Sequence, residues 1–248
     1  MKVSIVNDIE FHVDEGIYSG ILRHIKNMTI ERKDVSIPDI LPDGTKITAL
    51  GLGFCKGGGV FGKISVSDNI CKIHNFAFWA ADVESIVWPS GCKTIPASCF
   101  SECTAKSISG LDAVQTVDSH AFENSRFEQL SWPEAVETVP VYCFFKCNIG
   151  QISNLDAVTT IKECAFCNCE INSVFWPSSC KVIPKECFAG SKVGSIQNLG
   201  NIFAIEKDAF SDFSSPNVLD LSASGVCYVN GKAFQNTKCK VIFPEDVI

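Results

Sequence analysis

Fourteen cysteines and four histidines are the residues of this chain whose side chains could do chemistry. Thiolates and imidazoles can hold zinc, and a thiol beside a base can attack a substrate. The densest group is Cys164-Ala165-Phe166-Cys167-Asn168-Cys169. Its spacing is not the pair of C-x-x-C pairs that structural zinc prefers, and Phe166 ties it to a repeat. His12, His24, His74 and His120 are scattered, and the two in repeat turns sit at different positions, so stacking does not superpose them. Gly51-Leu52-Gly53 and Gly57-Gly58-Gly59 read as a flexible loop. A phosphate cradle needs a helix after its glycines and a well-placed lysine, whereas Lys56 precedes these. Asn27-Met28-Thr29 fits a glycosylation sequon, which matters only on a secreted protein. No catalytic residue, metal ligand or cofactor is therefore expected, and the chain is read as non-enzymatic.

The elements that carry these residues are set by phenylalanine spacing. Phe54, Phe78, Phe100, Phe122, Phe144, Phe166, Phe188, Phe210 and Phe234 follow one another at 22 residues, with 24 at each end. A small residue precedes every one, from Gly53 and Ala77 to Cys187 and Ala233. Ile or Val stands five residues upstream in all but the first turn, as in Ile95, Val117 and Ile183. A longer period is superposed: Trp88-Pro89, Trp132-Pro133 and Trp176-Pro177 recur every 44 residues. The turns between read Gly110-Leu111-Asp112, Asn154-Leu155-Asp156 and Asn198-Leu199-Gly200. Each turn contains a short alternating strand such as Ser85-Ile86-Val87-Trp88, ended by a proline that cannot donate to a ladder. A second arm, such as Thr94 to Phe100, returns to the same core. No single turn can bury its apolar face, so the turns must stack.

The stretches Val83-Glu84-Ser85-Ile86-Val87-Trp88-Pro89, Thr94-Ile95 and Cys99-Phe100-Ser101-Glu102-Cys103 resemble the repeat of the BspA-type leucine-rich family. The resemblance runs from about residue 35 to 248 and implies a β-rich solenoid, here of nine turns. It departs from the family pattern by placing Trp before Pro, and by alternating modules that lack that Pro. Residues 1–34 are expected to form a β-hairpin-like cap, and 35–248 one continuous solenoid. Lys240 to Pro244 reads as a last edge strand, with Pro244, Glu245 and Asp246 discouraging pairing with a neighbour.

In the repeat frame the cysteines look like packing groups. Cys99, Cys143 and Cys187 take the small slot before Phe, Cys92 and Cys180 the Val slot, and Cys103, Cys147 and Cys169 a slot three after Phe. Thiols in a reducing compartment are the simplest expectation, with a Cys147–Cys169 disulfide the alternative in an oxidising one.

The outward side of the strand ladder is the candidate binding surface. Its residues are Ser85 and Val87, Ser107 and Ser109, Gln129 and Ser131, Gln151 and Ser153, Ser173 and Phe175, and Ser195 and Gln197. Ser65 and Ser67 are read as the same pair one turn earlier, and Asp220 and Ser222 as the pair one turn later. Small hydroxyl and amide groups can hydrogen-bond an extended partner, and Val87 and Phe175 are the apolar anchors. They can equally form a solvated sheet face. A net charge of −7 without a Lys/Arg cluster excludes nucleic acid, and no apolar run is long enough to insert into a membrane. The expected function is protein–protein interaction with a partner of unknown identity. The alternatives are an intracellular scaffold, such as a subunit of a cytoskeletal assembly, and a surface adhesin binding host matrix, the activity the resemblance implies. Acidic residues near the start leave no signal-peptide core, so a cytoplasmic location is expected, with the cell surface as the alternative.

Overall fold

The computed structural model describes residues 1–245; Asp246 and the two residues after it lie outside. The chain is a β-solenoid that divides into two compact units, Met1–Phe127 and Glu128–Ile248.

In the first unit, the strands Lys33–Ile37, Phe61–Val66, Val83–Val87 and Ser107–Ser109 stack in parallel in chain order. In the second, Asn148–Ser153, Glu170–Phe175 and Lys192–Gln197 do the same. The register advances by 22 residues, so Ile86 lies against Ile108 and Ile152 against Val174. The return arms form two-residue ladders such as Thr94–Ile95 on Thr116–Val117. In the second unit Val182–Ile183, Ala204–Ile205 and Tyr228–Val229 stack likewise.

The phenylalanine ladder is the core. In the first unit Phe78, Phe100 and Phe122 stack at 5.1 and 5.3 Å between ring centres. In the second, Phe144, Phe166, Phe188, Phe210 and Phe234 stack at 5.2 to 5.5 Å with ring planes within 11°. Ladder residues also donate their N–H to the carbonyl of the small residue one turn on, as Phe144 to Ala165, Phe166 to Cys187 and Phe188 to Ala209.

In the turns from Phe78 to Phe210, two left-handed residues flank the ladder position, two before and two after Phe. Tyr142 and Lys146, Cys164 and Asn168, and Asp208 and Asp212 all have φ between 53° and 59°. The left-handed conformation costs a non-glycine residue roughly 1–2 kcal/mol. It turns their N–H groups toward the next turn, where Lys146 bonds Cys167 O at 3.0 Å and Asn168 bonds Ala189 O at 2.7 Å. The cost is offset by a backbone hydrogen bond in each turn.

The 44-residue alternation has a hydrogen-bonding cause. The indole Nε1 of Trp88, Trp132 and Trp176 donates to the carbonyls of Cys92, Val136 and Cys180 at 2.8–2.9 Å, sealing a buried turn. In the following module Asn154 and Asn198, both left-handed, donate Nδ2 to the carbonyls of Trp132 and Trp176 at 2.7 Å. Gly110 takes this place in the first unit, where a Cβ would lie 2.6 Å from Trp88 O.

The amino-terminal cap is a hairpin, as expected, enlarged by a third strand. Lys2–Val6 pairs antiparallel with Ile9–Val13 through Asn7 and Asp8, both left-handed, as a tight two-residue hairpin requires. Ile21–Asn27 then pairs antiparallel with Ile9–Val13 on one side and parallel with Ala49–Leu50 on the other.

Candidate functional site

Every strand-face residue singled out from the sequence is at least partly exposed, while the apolar residues interleaved with them are buried, except the half-buried Ile196. In the first unit Ser85 lies beside Ser107, and Val87 beside Ser109. In the second, Gln151, Ser173 and Ser195 form one row and Phe175 pairs with Gln197, with Ser153 exposed at the end of its strand. Gln129 and Ser131 are exposed on the strand Arg126–Ser131.

The first turn is out of step with the expectation. Ser65 aligns with Val87, and Lys63, not Ser65, with Ser85. The strand register here is the regular 22 residues, and Lys63 is the residue 22 before Ser85, so a charged side chain enters the face. The strands also expose two consecutive residues between buried ones, as in Ile171-Asn172-Ser173-Val174, where strict alternation would expose one. Two further columns therefore flank the polar face. They carry the pair Lys106 Nζ–Glu84 Oε1 at 2.5 Å in the first unit. In the second, Glu170 accepts from Lys192 at 3.1 Å and from Asn148 at 3.0 Å.

The two apolar anchors are unequal. Phe175 is 51% exposed, whereas Val87 is half-buried. Sequence reasoning missed other exposed aromatics. Phe76 and Trp79 meet edge-to-face at 6.4 Å, with the Lys56 ammonium 2.9 Å above the indole. Tyr142 and Phe145 occupy the same two slots of another turn and meet at 5.4 Å, with Lys146 over Phe145 at 5.1 Å. Aromatics in slots two before and one after the ladder Phe, where neighbouring turns carry polar residues, were the available signal. On the return arms of the second unit, Phe203 is 54% and Tyr228 50% exposed.

The thiols are placed to pack and to donate weakly. Cys99, Cys143 and Cys187 are fully buried, and burial pushes their thiols well above the usual range. Cys92 Sγ donates to Ile70 O at 3.0 Å and Cys180 Sγ to Val158 O at 3.5 Å, each one turn back. In four turns the slot three after Phe holds a small donor to the carbonyl of the preceding ladder Phe. Ser125, Ser191 and Thr237 fill it with hydroxyls, and Cys169 fills it with a thiol 2.6 Å from Phe144 O. Cys169 is thus a hydrogen-bonding thiol here and not half of a disulfide. Cys164 lies beside Glu186 at 3.4 Å, and burial raises both Cys164 and Cys167, the latter to about 11. A raised thiol is a poor nucleophile at neutral pH. Among the described residues no group of three or more His, Cys, Asp or Glu side chains is placed to hold a metal, and no helix is long and apolar enough to cross a membrane.

The profile of the BspA type leucine rich repeat region matches residues 71–148 and 137–247, in six copies. The chain belongs to the BspA-type leucine-rich repeat family. Three bacterial structures are similar to this BspA-type chain. A leucine-rich repeat protein from Bacteroides ovatus is 14% identical, aligned over 98% of this chain and 79% of that one, with a TM-score of 0.49. A leucine rich cell surface protein from Faecalibacterium prausnitzii is 14% identical, aligned over 99% and 95%, with a TM-score of 0.36. A leucine-rich repeat protein from Eubacterium ventriosum is 14% identical, aligned over 98% and 96%, with a TM-score of 0.34. No curated protein matches this BspA-type chain.

Proposed function

We propose that this BspA-type repeat protein is a non-catalytic binding module that holds an extended protein segment on the strand face of its second unit. The observation that carries this reading is Phe175. It stands half-exposed in a row otherwise built of serine and glutamine, beside Gln197 and next to the Gln151–Ser173–Ser195 row. An aromatic ring supplies the anchoring area, and the hydroxyl and amide groups around it supply hydrogen bonds that fix a peptide's register. The charged pairs at the margin are already matched within the chain, which leaves the centre neutral. The buried thiols act as packing groups and need no oxidising compartment, which supports a cytoplasmic setting.

A second reading has its own support. Phe203 and Tyr228 expose a pair of aromatic rings on the return arms, and Val3, Ile5, Ile17 and Ile30 expose apolar groups on the cap. These favour a scaffold that assembles through its edges. Affinity capture from the native cell separates the two, comparing wild type with Phe175→Asp and with Phe203→Asp/Tyr228→Asp. Loss of the captured partners only in the first variant is the expected result. Retention there with loss in the second would replace the strand-face reading by the scaffold.

A further inference from the structure

The cap sheet creates a feature that the repeat itself does not. Ile21, Ala49 and Lys72 lie abreast on three parallel strands, followed by Leu22, Leu50 and Ile73. Gly51 N–H then bonds Leu22 O at 2.8 Å and His74 N–H bonds Leu50 O at 3.0 Å, so the next step brings Arg23, Gly51 and His74 abreast. Leu22 and Leu50 point into the core. The opposite side therefore carries Arg23 on one wall and Lys72 and His74 on the other, with only Ala49 and Gly51 between them. A Cβ on Gly51 would come 3.2 Å from Arg23 Cδ and 2.9 Å from Leu22 O, so a larger floor residue would displace that wall. The resulting trough has a volume of about 460 Å³ and is lined by Arg23, Leu52, Lys72, Ile73, His74 and Asn75.

Its charges are only partly answered. Arg23 Nε donates to Asp14 Oδ2 at 2.5 Å, which uses one edge of the guanidinium. Lys72 has no ion-pair partner among the described residues, and His74 Nε2 is a buried ring nitrogen with no hydrogen-bond partner there. Buried polar atoms normally have partners, so an orphaned one calls for an explanation. Three donor groups facing a small-residue floor, in a chain whose net charge is −7, suit a compact anion.

We propose that the trough over Ala49 and Gly51 binds a small oxyanion, the phosphate or carboxylate group of a ligand, between Arg23, Lys72 and His74. Leu52, 54% exposed, lies against the apolar part of that ligand. Desolvation, then Lys72, then Arg23 hold the His74 imidazole below its ordinary range. These two cations, with Asp14 behind Arg23, are the charges that face it. An anion seated between them counters both, and the imidazole then regains its proton more easily.

The test is ¹⁵N-histidine NMR on the full chain, with His12, His24 and His120 as internal references. Inorganic phosphate and acetate are titrated separately at constant ionic strength against chloride. The expected result is a saturable shift confined to His74, with its titration moved upward. Lys72→Met, an exposed substitution that leaves the core untouched, weakens the apparent affinity by about tenfold, the size of one charge-assisted contact. A response to phosphate alone assigns a phosphate ester; a response to acetate alone assigns a carboxylate. No shift of His74 with either anion at tens of millimolar would overturn the proposal. So would an unchanged response in Lys72→Met with a native circular dichroism spectrum.

Discussion

Replacing Phe166 by alanine tests the core most directly. The ring is fully buried and stacked between Phe144 at 5.2 Å and Phe188 at 5.3 Å, with planes within 10° of both neighbours. Truncating a buried Phe to Ala costs about 3–5 kcal/mol, from lost transfer energy and the cavity left behind. Here two ring pairs are lost together, each worth about 0.5–1.5 kcal/mol beyond its buried area. The hole cannot collapse, because the backbones on either side are pinned by the Phe144 N–H to Ala165 O and Phe166 N–H to Cys187 O bonds. The expected loss is therefore in the upper half of the range, about 4–5 kcal/mol. Phe234 provides the internal scale. It is half-buried, with one ladder neighbour, Phe210 at 5.2 Å, and the edge of Phe243 at 5.5 Å. Phe234→Ala should cost about half as much. Urea unfolding followed by hydrogen exchange of the second unit reads both, and with m of about 3 kcal/mol/M the Phe166→Ala midpoint falls by about 1.5 M. A loss below about 1 kcal/mol, the size of a surface effect, or one no larger than that of Phe234→Ala, would refute the stacked-core argument.

The buried thiols predict a stability that falls in alkali. Unfolded cysteines ionise from about pH 8.5, whereas burial holds Cys180 to about 11 and Cys92 to about 12 in the folded chain. A folded pKa raised above the unfolded one gives stability that is whole below pH 8.5 and is lost as pH rises toward the folded value. The slope is about 1.4 kcal/mol per pH unit for each thiol, or about 2 kcal/mol per thiol by pH 10. Denaturation at pH 8 and pH 10 should show this loss, and Cys180→Val should reduce it by one thiol's share; an unchanged slope would contradict the assignment. Gly194→Ala should destabilise by about 1–3 kcal/mol, because the new Cβ would lie 2.3 Å from the backbone oxygen of Asn172 on the adjacent strand. Gly231→Ala, with nothing within 4 Å of its Cβ, should stay within about 0.5 kcal/mol by calorimetry, and equal effects of the two would disprove the close strand approach.

What the sequence revealed was what repeats in side-chain type. Away from the ends of the array, Phe at 22-residue spacing, the small residue before it and the Ile or Val upstream sit in buried slots, where packing restricts the choice of residue. The left-handed pair in each turn was illegible, because Tyr142, Lys146, Cys164 and Glu186 are not the residues that signal positive φ. Inter-turn backbone bonds hold them there, and a backbone bond leaves no mark on side-chain type. The alternation of Trp-Pro with Asn-Leu-Asp was visible as a pattern, but its cause required the Asn154 amide to be seen on the Trp132 carbonyl.

The same division applies to the candidate sites. The outward strand residues could be read from alternation because the ladder is regular, although the doubled exposed positions and the displaced first turn could not. Arg23 and His74 are 51 positions apart and share no repeat slot, and they meet only because the cap strand Ile21–Asn27 adds itself in parallel to a return arm. In the regular turns, side chains that meet across the stack occupy the same slot, and in the interior that slot is committed to packing. Groups of unlike chemistry are brought together where the repeat is interrupted. Gly51 belongs to such a place, and its missing side chain lets the Ile21 and Arg23 side chains lie close over the sheet, on the strand pair next to Lys72 and His74. Phe175 is the corresponding irregularity within the ladder, a ring in a row of hydroxyls and amides whose exposure packing does not require.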